Sequence, residues 1–209
     1  MKYLALGGGS GSNNLCAPMG TQSDLPIEPL NEPSADIACD PRTKDLGVVD
    51  TAYFYGTQMS IRLCSIPNIQ DVGDKSLKIS TDPDYVDDGY IHVNSRVAGA
   101  FFALSEEHNR RCGNYLTATQ GYRAAGLQQY FWDCYVSKSC NGGNLAARVG
   151  YSNHQAGLAI DFNTGSYCRT DSGVASGGIW NLDFLAGFGM DDGRNFSQIE
   201  YWHVDPIGI

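Results

Sequence analysis

The sequence predicts a mixed α+β domain, and three observations carry that expectation. One stretch has a helical period, with Val97, Phe101, Leu104 and His108 at i, i+4, i+7 and i+11. Other stretches, such as Met59–Cys64 and Gly157–Phe162, are β-prone and alternate in polarity. Composition agrees: 42% hydrophobic and 18% charged residues over 209 positions belong to a folded chain long enough for a real core.

Residues 1–45 read as an irregular arm, rich in Gly, Ser and Asp, with Pro26, Pro29, Pro33 and Pro41 each removing a backbone donor. Residues 46–209 are expected to form the domain. Within the arm, positions 7–14 (GGGSGSNN) resemble a flexible linker. The start, Met1 to Leu6, begins like a leader, but its apolar run stops at Gly7, short of the ~7–15 residues a signal core needs. Around 47–66 a β-hairpin is expected to turn near Gly56 and cover an edge of the main sheet, with Tyr53, Phe54 and Tyr55 packing there or lining substrate. Residues 67–92 read as loop, and the crowded Asp71, Asp74, Asp82, Asp84, Asp87 and Asp88 as a solvated acidic surface without calcium-loop register.

A core helix is expected over Ser95–Cys112, capped by Asn94 or Ser95 and closed by Gly113. Tyr115–Thr119 reads as a strand and Ala124–Val136 as a helix burying Leu127, Tyr130, Phe131 and Cys134. Residues 163–178 read as a Gly/Ser loop, Trp180–Phe188 as a short helix and Gln198–Val204 as the final strand. His92 and His108 have no partner at metal spacing and read as structural.

Charge and cysteines narrow the function classes. With 14 basic and 23 acidic residues the net charge is −9, which argues against nucleic acid as a partner. No apolar run approaches the ~20 residues of a membrane helix. Seven cysteines without C-x2-C spacing are many for a reducing compartment. Cys134 with Cys140 across a short turn is the first expected disulfide, then Cys39–Cys64, then Cys112–Cys168, leaving Cys16 odd. An exported protein whose own leader has been removed or replaced accounts for both the cysteines and the missing signal; an all-reduced cytosolic protein is the alternative.

The chemistry-bearing residues lie in Ser152-Asn153-His154-Gln155-Ala156-Gly157-Leu158-Ala159-Ile160-Asp161 and in Glu200-Tyr201-Trp202-His203. Two imidazoles and a carboxylate suit zinc, which in catalytic sites takes three protein ligands and keeps a place for water. The assignment is His154, Asp161 and His203 as metal ligands and Glu200 as general base. A histidine and aspartate at this spacing can also be mere loop caps. Small residues between them and a second Glu/His cluster weigh against that. If Leu158 and Ile160 share one face of a strand, Gly157, Ala159 and Asp161 share the other, where small side chains leave room for metal and substrate. In a regular strand Glu200 and His203 would face opposite ways, so the last strand must twist or end near Trp202 for both to reach one ion. Trp202 itself reads as packing behind the site. Asp205 is a candidate acceptor for the ring of His203. Arg123 suits a substrate carboxylate or a developing oxyanion. Ser152 either hydrogen-bonds a substrate carboxylate or orients its loop. No G-x-S-x-G is present to support serine catalysis.

These motifs resemble the VanY-type D-alanyl-D-alanine carboxypeptidases: S-x-H-x-x-G-x-A-x-D, then E-x-W-H, in the same order. Gly121-Tyr122-Arg123 with Gln128 resembles the family's arginine turn and the glutamine following it, although Gln120 stands where a serine is usual. The resemblance spans about residues 90–206, leaving the first 80 residues outside it. It implies the Hedgehog/DD-peptidase fold, a small antiparallel sheet with helices packed on it, whose core is residues 91–206 with 46–90 as a hairpin-containing extension. It implies a monomeric, secreted, periplasmic or wall-associated zinc (Zn2+) peptidase acting on peptidoglycan stem peptides or D-Ala-terminated peptides. Arg123 and Glu200 would be its catalytic residues, with Ser152 and Gln128 binding substrate. Related alternatives are an L-Ala-D-Glu endopeptidase and a non-catalytic zinc-binding module; retention of Glu200 argues against the latter.

Overall fold

The computed structural model describes residues 32–166, 185–193 and 200–208. Among them seven strands form one sheet: β1 (Lys44–Phe54), β2 (Thr57–Asp71), β3 (Tyr90–Asn94), β4 (Thr117–Gln120), β5 (Ile160–Phe162), β6 (Met190–Gly193) and β7 (Glu200–Pro206). The helices are α1 (Lys75–Thr81), α2 (Ser95–Cys112) and α3 (Ala125–Ser137). Strand order is β1-β2-β4-β5-β7-β6, with β3 paired to β2 off this path. The expected α+β class holds. The sheet is larger than expected and not wholly antiparallel, since β2 and β4 run parallel at Gln70↔Thr117 and Asp71↔Ala118.

The expected hairpin is present, but it belongs to the sheet rather than covering its edge. Its turn is Tyr55-Gly56, with φ of 46° and 81°, the doubly positive geometry that joins tightly twisted strands. Gly56 N–H donates to the Gly150 carbonyl at 2.8 Å, so the tip is docked on the chain entering the His154 loop. The positive φ is what favours glycine at 56, since a Cβ there would meet only the hydroxyl end of the exposed Tyr151 side chain, at 2.8 Å. Tyr55 at this tip is 65% exposed, whereas Phe54 packs against the core.

Helix α2 has the expected bounds. Asn94 accepts from Arg96 N–H at its start, and Gly113 ends it in a left-handed conformation with φ of 77°. Its periodic face buries Val97, Phe101 and Leu104 against Ile66, Ile91, Leu158, Ile160 and Phe162. Each large side chain so buried contributes about 1.5–3 kcal/mol. His108, also on this face, has Nδ1 at 2.8 Å from the Asn114 carbonyl, and His92 on β3 pairs with Asp88 at 2.9 Å.

Residues 67–92 differ most from expectation. Strand β2 continues to Asp71 and α1 follows, started by Asp74, whose carboxylate accepts from Ser76 and Leu77 N–H. Beyond Leu63, β2 is covered on both faces (Cys64, Ser65, Ile66, Asn68 and Ile69 are all buried), so it carries no alternation to read. Asp71 is not solvated either. It accepts from Lys78 Nζ at 2.6 and 2.8 Å and from the Tyr85 hydroxyl at 3.2 Å.

Smaller shifts follow. Strand β4 lies at Thr117–Gln120, later than expected, and α3 leaves Tyr130 and Phe131 only half-buried. Two expected disulfides form, Cys39–Cys64 and Cys134–Cys140. Cys112 is disulfide-bonded as well, while Cys168 and Cys16 lie outside the described residues. So do residues 1–31 of the arm, Trp180 and Phe184 of the expected short helix, and Gln198 and Ile199. Ahead of β1, Ser34 is tied in by bonds to Arg62 and Asn94.

The Lys78–Asp71 pair gives a stability test, because the two side chains are only 7% and 3% exposed. Removing one partner of a buried pair strands the other charge. Asp71→Asn should therefore lower the unfolding free energy by about 3–5 kcal/mol in urea titrations.

Candidate metal centre

Strand pairing assembles the site. Asp161 lies directly opposite His203 across β5 and β7, and Ile160 opposite Val204. Ile160, Phe162 and Val204 enter the core, so Asp161 and His203 share the other face of the sheet. Strand β7 carries the distortion its sequence demanded. Its register with β6 jumps from Asp192↔Val204 to Gly193↔Glu200, placing Tyr201, Trp202 and His203 in a bulge. Glu200 and His203 consequently line the same groove.

His154 arrives on a 3-10 turn, Asn153–Ala156, closed by Gly157 with φ of 68°. A Cβ on Gly157 would stand 2.8 Å from the Asn94 nitrogen. Glycine is therefore required for backbone approach to the start of α2, not to leave room for metal as the alternation suggested. Ala159 is fully buried, and β5 begins only at Ile160. Gly121 is equally constrained, since a Cβ there would meet the His92 carbonyl at 2.4 Å. The turn it permits directs Arg123 N–H to the His154 carbonyl at 3.0 Å and presents the Gly121 carbonyl to His154 Nδ1 at 2.9 Å.

Three atoms converge. His154 Nε2 and His203 Nδ1 are 3.2 Å apart and lie 3.2 and 3.0 Å from Asp161 Oδ1. The outer nitrogens settle the tautomers. A carbonyl can only accept, so His154 Nδ1 carries its proton toward Gly121 O. His203 Nε2 likewise donates to Asp205 Oδ2 at 3.2 Å, an acceptor further held by Asn153 Nδ2 at 2.7 Å. With both rings neutral, the inner nitrogens therefore aim lone pairs at one point shared with a carboxylate oxygen. That donor set, with each ring oriented by an outer acceptor, fits a divalent ion such as zinc.

Electrostatics agree with this geometry. Burial, with Arg123 and His203 nearby, lowers the His154 pKa to about 4, so its ring is neutral at pH 7. Burial also opposes charge on His203, but Asp161 and Asp205 outweigh it and raise its pKa to about 10. Burial works against the Asp161 carboxylate too, yet the two histidines hold it well below the usual range. Burial and the Asp161 charge raise Glu200. Among the described residues no ion pair or hydrogen bond ties its carboxylate down.

The remaining predicted residues separate into two groups. Arg123 is buried, donates to Asp161 Oδ2 at 3.3 Å and to Gln128 Oε1 at 3.0 Å, and lies over the Phe131 ring at 4.7 Å. Gln128 is fully buried, and its other end donates to the Ala147 carbonyl at 2.7 Å. Both ends of that amide are thus occupied. Ser152 lines the groove with Arg123, His154, Asp161, Glu200 and His203. The groove encloses about 820 Å³. Its walls include Tyr130, Phe131, Tyr151 and Trp202, none of which stood out as groove-lining in the sequence. For Trp202, read there as packing, the neighbouring E-x-W-H motif was the available signal.

A family model described as D-alanyl-D-alanine carboxypeptidase, VanY, matches residues 90–205. The chain belongs to this family, a class of peptidases acting on peptidoglycan peptides. Among solved structures, the LdcB LD-carboxypeptidase matches with 22% identity and a TM-score of 0.46 over 70% of this chain and 68% of that one. A variant of the vancomycin-resistance D,D-pentapeptidase VanY in complex with Zn(II) matches with 24% identity and a TM-score of 0.41, over 59% and 77%. The L,D-carboxypeptidase DacB from Streptococcus pneumoniae matches with 20% identity and a TM-score of 0.37, over 79% and 86%. No curated protein sequence matches the chain.

The raised His203 pKa has a measurable consequence. Below about 10 its ring is protonated, and a metal needs it neutral. Zinc binding at pH 7 should therefore release about one proton, and apparent affinity should rise about tenfold per pH unit through neutrality. Titration calorimetry in buffers of different ionisation enthalpy measures both.

Proposed function

We propose that the chain is a zinc-dependent D-alanyl-D-alanine carboxypeptidase of bacterial wall peptides, with His154, Asp161 and His203 as the metal ligands. The observation that carries this reading is the convergence of two oriented imidazoles and one carboxylate oxygen at the floor of a peptide-sized groove. Zinc, when bound there, supplies a Lewis acid for the scissile carbonyl and a water of lowered pKa.

The chain's own residues do the rest. Glu200 is the general base: its carboxylate is untethered, half-buried and raised in pKa, which suits accepting a proton near neutral pH and passing it to the leaving amine. Arg123 receives the terminal carboxylate of the substrate or the oxyanion that develops from the carbonyl. Stacking on Phe131 and the bond to Gln128 hold its guanidinium in one plane, so Gln128 serves substrate binding through Arg123. Ser152 offers a hydroxyl from the same wall. Tyr130, Leu145 and Trp202 supply apolar surface for alanine methyl groups. Disulfides at Cys39–Cys64 and Cys134–Cys140 support an extracytoplasmic location, where the wall substrate is found.

The test joins metal content to product identity. Purified protein should hold about one zinc per chain, lose activity with a chelator and regain it on adding zinc. Mass spectrometry of digested muropeptides should show loss of one terminal D-Ala; a cut within the stem would point to an endopeptidase instead. Glu200→Ala should keep its zinc while turnover falls by about 10²–10⁴. Undiminished turnover would remove Glu200 as the base.

A further inference from the structure

One polar side chain at the groove is left over by this account. Gln120 ends β4 opposite Asp161, just past an irregularity in the β4–β5 ladder. Asp161 is in turn opposite His203, so Gln120, Asp161 and His203 form a row across three neighbouring strands. Directly paired residues project from the same face of a sheet, and Gln120 lines the groove together with the other two. The residue is only 7% exposed. Its amide nevertheless makes no hydrogen bond to any described residue, and neither amide atom is sealed from solvent. Buried side-chain amides are normally paired, as both ends of Gln128 are. Gln120 borders both this groove and a small cavity beside Asp71 and Lys78, and its amide has no partner among the described residues.

We propose that Gln120 is a specificity-determining residue that hydrogen-bonds a peptide group of the substrate beside the scissile bond. The inference rests on the peptidase reading above and adds the group recognised. The chemistry selects a peptide group over a carboxylate. An amide presents one donor face and one acceptor face, the complement of a backbone N–H and C=O. A substrate carboxylate at this position would meet Asp161 and the nearby Glu200, whereas Arg123 provides for that charge elsewhere in the groove. The residue is also this chain's own departure, since serine is usual before the arginine turn of the family. Glutamine reaches about two bonds further than serine from the same strand position.

The experiment is steady-state kinetics of the zinc-loaded enzyme on a pentapeptide ending in D-Ala-D-Ala, comparing wild type with Gln120→Met and Gln120→Glu. Methionine keeps the length and removes the hydrogen bonds. It should raise KM about 5–20-fold with kcat within about twofold, because a contact made equally in ground and transition states is lost. Glutamate should weaken binding at least as much, by repulsion from Asp161 and Glu200. Zinc content and melting temperature should stay at wild-type values in both. An unchanged KM in Gln120→Met overturns the proposal, as does a fall in melting temperature or zinc content with KM unchanged, which would make Gln120 a packing residue. A zinc-loaded wild type that cleaves no D-Ala-D-Ala peptide overturns the carboxypeptidase reading, and this inference with it.

Discussion

Three lone-pair donors held within hydrogen-bond distance of one another, away from water, require positive charge among them. Burial removes the solvent that would otherwise screen their repulsion. At His154, His203 and Asp161 the charge is a proton when no metal is present, and its location follows from the surroundings. Asp205 and Asp161 flank His203 and favour its charged form, while His154 faces a neutral carbonyl and the guanidinium of Arg123. The same arrangement would offer a divalent ion one neutral imidazole, one that becomes neutral on binding, and an ionised carboxylate. Protonation and metal occupancy would therefore be alternatives at one point in space.

The scaffold meets this requirement with few elements. Pairing of β5 with β7 brings Asp161 and His203 face to face, and the bulge in β7 adds Glu200 to the same side. The third donor comes on a short turn whose geometry is set by glycine at 157 and by the carbonyl of Gly121. That carbonyl belongs to the turn that also positions Arg123. A substitution disturbing Gly121 would thus reach His154 and Arg123 together.

Much of this was legible in the sequence, for identifiable reasons. Helix α2 was readable to its ends because periodicity, Asn94 and Gly113 all agree. That His154, Asp161 and His203 would converge was readable because a second Glu/His cluster answers the first, and a distorted last strand followed from pleat geometry once Glu200 and His203 were asked to face one point. The stretch 67–92 was not readable. Its aspartates look alike in composition, but Asp71 is a buried counter-ion, Asp74 a helix cap and Asp88 a histidine partner. Those roles depend on Lys78 and His92 being brought near, which is a tertiary fact. The groove walls were hidden in a similar way. Tyr130 and Phe131 have the spacing of core residues, and only the placement of α3 beside the groove turns them outward. The extra residues in β7 show as a need in the sequence, but the partner that defines the bulge is β6, whose pairing local pattern does not specify.

The placement of β7 also sets a timetable for synthesis. His203 follows His154 by 49 residues and Asp161 by 42, and Glu200 travels on the same late strand. Chains are made and begin folding from the N-terminus, so a growing polypeptide can shape its helices and hairpin and bring in His154 and Asp161 while still lacking both His203 and Glu200. The full cluster, with Glu200 beside it, then assembles in one step with the last described strand. A ribosome-bound or prematurely ended chain would hold His154 and Asp161 without the two side chains that complete the groove around them.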